Sequence, residues 1–108
     1  MKARLFVYGT LQNTSIQKEV LGRTTPAIPD ILEDFKLSKI QLGNNWYPLA
    51  IPSKGNEITG LVLDIDESDF PALDFYESNA YQRKRLKLKS NRMAWVYLKQ
   101  SSIISKND

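Results

Sequence analysis

Apolar and polar positions alternate most cleanly from Ile58 to Ile65, where Leu61, Leu63 and Ile65 share one side of a strand and Gly60 leaves room for a second backbone. Leu5 to Tyr8 is a shorter β-type run that Gly9-Thr10 stops, which predicts a first strand entering a tight loop. Asn13-Thr14-Ser15 then offers N-cap oxygens, with Gln17 three residues after Thr14 in capping-box position. Ile16 and Val20 fall on one face, and Gly22 closes a short helix. Residues 23 to 34 carry Pro26 and Pro29 and no sustained period, so they read as a connection with at most a short strand. Phe35 to Leu42 alternates imperfectly, Gly43-Asn44-Asn45 is a turn, and Pro48 and Pro52 demote Trp46 to Pro52 to an edge or irregular strand. Ser53-Lys54-Gly55-Asn56 reads as a further turn.

Asp66 to Glu77 has helical character, with Ser68 as cap, Pro71 at the third helical position, and Phe70, Leu73 and Tyr76 recurring on one face. Arg83 to Lys89 alternates basic and apolar residues, with Leu86 and Leu88 inward, and Met93 to Leu98 completes a hairpin through Ser90-Asn91. Residues 98 to 108, the last ten of them polar apart from Ile103-Ile104, read as a flexible tail. Strand, helix, several strands, helix and hairpin make an α+β pattern, not the regular alternation of a doubly wound sheet.

Composition narrows the chemistry. A chain of 108 residues is the size of one compact domain, residues 1 to 108, and cannot hold two cores. It has neither histidine nor cysteine, so an imidazole base, a thiolate nucleophile, a disulfide frame and a cysteine-built zinc site are all excluded. Any catalysis runs on carboxylates, Lys, Tyr, Ser or backbone dipoles. No apolar run is long enough for a signal-peptide core or a membrane span, so the expectation is a soluble, cytoplasmic protein without a membrane partner. The net charge is only +3, but it is unevenly spread: seven acidic and no basic residues lie between Glu57 and Gln82, followed by Arg83, Lys84, Arg85, Lys87, Lys89 and Arg92. Such segregation suits either an anion-binding face or two elements that neutralise each other.

Three stretches can carry chemistry. In Phe6-Val7-Tyr8-Gly9-Thr10-Leu11, a strand feeding a glycine and a helix entrance aims backbone N–H groups at one point, which suits a carboxylate or an oxyanion; a plain glycine turn is the alternative. In Leu73-Asp74-Phe75-Tyr76-Glu77, Asp74 and Glu77 share a helix face, and Glu77 sits at the C-terminal end, where the dipole disfavours negative charge. That placement, with burial beside Phe75, Tyr76 or Tyr81, raises a carboxylate pKa and makes a poised base. A solvated acidic helix end paired with Arg83 or Lys84 is the alternative. The basic strand from Arg83 to Lys89, with Trp95 and Tyr97 beside it, could hold single-stranded nucleic acid by phosphate contact and stacking, or could be a solvated strand face.

Taken in order, Phe6-Val7-Tyr8-Gly9-Thr10-Leu11, Tyr47-Pro48, Ile58-Thr59-Gly60-Leu61-Val62, Leu73-Asp74-Phe75-Tyr76-Glu77, Tyr81-Gln82-Arg83 and Ala94-Trp95-Val96-Tyr97 resemble the gamma-glutamylcyclotransferase-like family. That family includes AIG2-like proteins and gamma-glutamylamine cyclotransferases. The resemblance runs from residue 5 to about residue 98. It implies an α+β fold whose mixed sheet curls into a partial barrel around one cavity. It also implies a cofactor-independent, metal-free transferase or lyase reaction, in which a gamma-glutamyl amine or amino acid cyclises to 5-oxoproline and releases its amine. Glu77 matches the family's catalytic glutamate, and the backbone of Tyr8, Gly9, Thr10 and Leu11 matches its substrate-binding loop. Tyr81 is expected to position the substrate or pack over Glu77, with a core aromatic as the alternative, and Arg83 to pair with Asp74; Trp46, Tyr47 and Pro48 either wall the cavity or, the commoner role, serve ordinary packing. Two positions depart from the family pattern: Gln12 stands where Arg or Lys often follows the loop Leu, and Ser78 stands where Gly often follows the glutamate. The partner implied is a small gamma-glutamyl molecule and not a nucleic acid; a binding module without turnover is the rival reading. The oligomeric state is open.

Overall fold

The computed structural model describes residues 1–99. Five strands form one mixed sheet in the order β2-β3-β1-β5-β4, with β1 at Lys2–Val7, β2 at Ala27–Leu42, β3 at Asn45–Asp66, β4 at Tyr81–Lys87 and β5 at Met93–Lys99. Helix α1 spans Thr14–Leu21 and α2 spans Phe70–Glu77, each preceded by a single 3-10 turn. All pairings are antiparallel except β1 with β5. That parallel pair needs a long crossover, and the rest of the chain supplies it.

Strand alternation sorts the core into two layers. Phe6 of β1 lies with Leu32, Val62, Leu88 and Val96 in the hollow of the sheet. Leu5 and Val7 face the other way and meet Leu63, Ile65, Tyr97 and the inward side chains of the helices, Ile16, Val20, Phe70 and Leu73. Leu5, Phe6, Leu32, Leu63, Leu73 and Val96 are almost wholly excluded from solvent, and each such burial stabilises the fold by about 1.5–3 kcal/mol. Gly60 lies where the two layers meet most tightly: a Cβ there would come within 2.4 Å of the Val7 carbonyl oxygen and 2.8 Å of the Phe6 ring.

The sheet curls until its two sides touch. At the tip of the β4–β5 hairpin, Lys89 N donates to the Ile31 carbonyl of β2 at 2.9 Å. Beside it, buried Asp30 accepts from Ser90 Oγ (2.5 Å), Arg92 (3.2 Å) and Ile31 N (2.8 Å). At the open end of that hairpin no strand among the described residues reaches β3. Among the described residues, 45 to 52 of β3 pair only with β2, and their other edge is capped by phenols: Tyr81 donates to the Pro48 carbonyl (2.6 Å), and Ala50 N donates to Tyr8 Oη (3.3 Å). A half-barrel results, propped open on one side by two tyrosines.

Several local expectations are corrected. Residues 27 to 34, expected as a connection, are the first half of a 16-residue strand; β2 is an edge strand, so Pro29 costs no ladder hydrogen bond there. Ser53 to Asn56 is not a turn. It is a bend within continuous β3, matched by a register shift after Glu33, with Asp34 (φ 66°) accepting from Gly55 N and Gly55 at φ 88°. Helix α1 is capped by Asn13, whose side chain accepts from Ser15 N, and closed by Gly22 at φ 80°. Gln17 forms no capping box, because it is buried and donates to the Leu11 carbonyl at 2.9 Å. Asp66, not Ser68, starts the second helical segment, in a reciprocal box with Asp69, and Pro71 falls in the first turn of α2. Strand β5 runs through Lys99, two residues into the stretch expected as tail; residues 100–108 lie outside the described residues.

Candidate active site

Between the tyrosine-capped edge of β3, the loop after β1 and the C-terminal end of α2 lies a cavity of about 380 Å³, within the size range of small-molecule sites. Three elements build it. The loop after β1 contributes Tyr8, Gly9, Thr10 and Leu11. The C-terminal end of α2 contributes Tyr76, Glu77 and Ser78, and the walls come from Leu42, Tyr47, Pro48, Tyr81 and Tyr97. Every residue singled out for the site from sequence, Glu77, Tyr8, Gly9, Thr10, Leu11 and Tyr81, therefore lines one space.

Gly9 is required by a close approach: a Cβ on it would sit 2.7 Å from Pro48 Cγ. The chain then turns at once into the 3-10 turn Thr10–Gln12, where Gln12 N and Asn13 N bond back to the Gly9 and Thr10 carbonyls. Among the described residues, the N–H groups of Thr10 and Leu11 make no hydrogen bond outside regular secondary structure, as the first donors of a helical turn do not. They are available to an anion. The loop is tied to α2 by a hydroxyl pair, Thr10 Oγ1 and Tyr76 Oη, at 2.5 Å.

The two acidic residues of α2 have opposite fates. Asp74 is held by Arg83 through two bonds of 2.9 and 3.1 Å and accepts from Tyr97 Oη at 2.6 Å. The Arg83 bonds, then the Tyr97 bond, outweigh the cost of burial and hold its carboxyl below the usual range. Arg83 in turn lies 3.9 Å over the Phe70 ring. Glu77, half-buried one turn later, has no hydrogen bond or ion pair among the described residues. Burial first, and the charge of Asp74 second, push its pKa up to about 7. No fully buried side-chain oxygen in the described residues lacks a partner, so the Glu77 carboxyl is open at the cavity surface. It is poised between its two protonation states near neutrality.

Three of the surrounding phenols are held neutral by burial, which raises the pKa of Tyr81 to about 12 and also pushes Tyr8 and Tyr97 up. Tyr81 spends its proton on the Pro48 carbonyl, so its observed contact positions β3. Ser78 is unusual. Its φ of 65° and ψ of −173° fall in a region that only glycine occupies freely, at a cost of about 1–3 kcal/mol for other residues.

Other expectations change. Trp46 does not wall the cavity; alternation puts it on the ribbon face opposite Tyr47, where it is 61% exposed. Phe75 does not bury Glu77, being 88% exposed on the outer side of α2. Trp95 and Tyr97 are not open stacking platforms: Trp95 packs edge-on against Phe70 beneath Arg83, and Tyr97 is buried. Tyr97 and Leu42 were not singled out from sequence as cavity residues. For Tyr97 the signal was present, because it pairs across the sheet with Arg83, which puts the phenol beside Asp74. Among the described residues no group of three or more carboxylates could hold a metal ion, and no helix is long and apolar enough to cross a membrane.

Comparison with known proteins gives a consistent result. A family model described as gamma-glutamyl cyclotransferase, AIG2-like, matches residues 5–108. AIG2-like protein B of Arabidopsis thaliana is 32% identical over 80 residues, which is 73% of this chain and 45% of that protein. The chain thus spans about half the length of the curated relatives it matches. An Arabidopsis thaliana protein solved in solution superposes with a TM-score of 0.79 at 26% identity, over 99% of this chain and 72% of its own. A structure named gamma-glutamyl cyclotransferase superposes with a TM-score of 0.74 over 93% of this chain and 68% of its own; at 21% identity the likeness is one of fold.

Proposed function

The chain belongs to the gamma-glutamyl cyclotransferase, AIG2-like family, and from that premise we propose that it cyclises a gamma-glutamyl amine or amino acid to 5-oxoproline, releasing the amine. The observation that carries this reading is Glu77: an unpaired carboxyl on a small cavity, with a pKa near 7, facing a loop with free backbone donors. A gamma-glutamyl group holds its own nucleophile, the alpha-amine, at five-ring distance from the gamma-carbonyl. The site has to bind the group folded, move protons and stabilise charge.

In this mechanism the N–H groups of the 8–11 loop take the alpha-carboxylate, and the cavity walls hold the amine against the carbonyl, a proximity contribution of several kcal/mol. The amine nitrogen begins as ammonium and attacks the gamma-carbon once a proton is gone, forming the ring C–N bond and placing the carbonyl electron pair on oxygen. Collapse of that intermediate breaks the exocyclic C–N bond. Of the two protons the ring nitrogen sheds, Glu77 relays one to the departing nitrogen. The other passes to solvent and is recovered when the freed amine becomes ammonium. A carboxyl that ionises near the working pH is matched to both halves of the relay.

The test is to incubate the protein with a panel of gamma-glutamyl amines and amino acids and measure 5-oxoproline, with Glu77→Gln beside it. Turnover by wild type and its loss in the variant supports the enzyme. Equal turnover in both removes Glu77 from the mechanism. Binding of a gamma-glutamyl ligand without product from any substrate supports a binding module instead.

A further inference from the structure

Most hydroxyl protons lining the cavity are already used. Tyr8 donates to the Tyr97 carbonyl, Tyr81 to the Pro48 carbonyl and Tyr97 to Asp74, while Thr10 and Tyr76 share a bond. Ser78, directly after Glu77, is also on the lining and exposed, and like Tyr47 it donates to no other group among the described residues: its only hydrogen bond is one it accepts, from Ala80 N at 3.4 Å. Its proton is uncommitted. Ser78 also pays for its place with a backbone conformation, φ 65° and ψ −173°, that glycine would adopt without strain. A single long bond to Ala80 does not offset that strain. The side chain is therefore held at a cost, beside a carboxyl that ionises near neutrality.

We propose that the Ser78 hydroxyl is a catalytic donor that hydrogen-bonds the gamma-carbonyl oxygen of the substrate as it takes on negative charge. The proposal rests on the cyclotransferase reading above and adds a role that the reading does not need. The amine that Glu77 deprotonates bonds to the carbon bearing that oxygen, so a donor lining the same cavity as Glu77 can reach the charge that develops. With the loop N–H groups on the alpha-carboxylate, the oxyanion needs a separate donor. A donor aimed at charge present only in the transition state raises kcat with little effect on KM.

The test compares wild type, Ser78→Ala and Ser78→Gly in 5-oxoproline kinetics and thermal unfolding. Both variants lose the hydroxyl, but only glycine relieves the backbone. The expected result is a fall in kcat of about 100-fold in both, with KM changed less than about twofold. Ser78→Gly is also expected to melt about 4–8 °C above Ser78→Ala. Glycine turnover equal to or above wild type would overturn the proposal, because the serine would then be only a tolerated strain. A rise in KM at constant kcat would also overturn it, assigning Ser78 to ground-state binding. Absence of product from wild type with every substrate removes the cyclotransferase reading and this role with it, and is told apart by the wild-type reaction alone.

Discussion

Asp30 and Glu77 are both carboxyls taken out of water, and burial is the largest influence on each, yet they end on opposite sides of the normal range. Asp30 accepts from Ser90, Ile31 N and Arg92, and these donors together hold its pKa below the usual value in spite of burial. Glu77 has no such donors among the described residues, and the charge that acts on it is the like charge of Asp74. Burial alone does not make a functional group. What separates a clasp from a candidate base is whether the fold supplies hydrogen bonds to the charged form. The hairpin whose tip secures Asp30 carries, at its open end, Tyr81 and Arg83; these serve Pro48 and Asp74 and leave Glu77 alone.

The contrast is broken most strongly by removing the charge that the fold leaves unsatisfied. Glu77→Gln is expected to lower turnover by about 10²–10⁴-fold, the usual value of positioned acid–base catalysis, as read by 5-oxoproline release. The same substitution should stabilise the protein. With a folded pKa near 7 against 4.5 for the ordinary group, the native state binds the extra proton between those values, so ionising Glu77 erodes stability as pH rises through that window. Denaturant unfolding at pH 8 should show Glu77→Gln more stable by about 2–3 kcal/mol, with the gain gone at pH 4.

Asp30 should behave in reverse. Asp30→Asn weakens the bonds to Arg92 and Ser90 and is expected to cost about 1–3 kcal/mol at pH 7, with little loss of turnover. Because the folded pKa of Asp30 is depressed, its contribution is present above the unfolded pKa and lost as pH falls through the folded one. The cost of Asp30→Asn should therefore shrink in acid, which the same unfolding series would show. The smallest effect is expected from Asp74→Asn. Removing that charge lowers the pKa of Glu77, so the acid limb of the pH–rate profile should move to lower pH while turnover persists. A limb that stays in place would mean that burial alone sets the Glu77 value.

How much of this was legible in the sequence follows the range of the interactions. Local signals read well: the Leu5–Tyr8 run ending at Gly9, the Asn13 and Gly22 boundaries of α1, Gly60 as a point of backbone approach, and Asp74 and Glu77 on one helix face. The Arg83–Asp74 pair was within reach because only nine residues separate them. Signals that depend on distant partners did not read. Pro26 and Pro29 hid half of β2, since edge position, which makes Pro29 tolerable, is a property of the assembled sheet. Asp30 meets Ser90 across 60 residues and Tyr8 meets Tyr97 across 89, and no local pattern announces either. Ser78 was visible as a departure from a family glycine, but its strain appears only with the backbone angles.

The fold leaves Glu77 unpaired among the described residues and ionising near neutrality. A direct test is the pH titration of its side-chain carboxyl carbon by NMR, assigned by its absence in Glu77→Gln. A midpoint near 7 is expected, moving lower in Asp74→Asn. A midpoint near the ordinary 4.5, unmoved by that substitution, would contradict it.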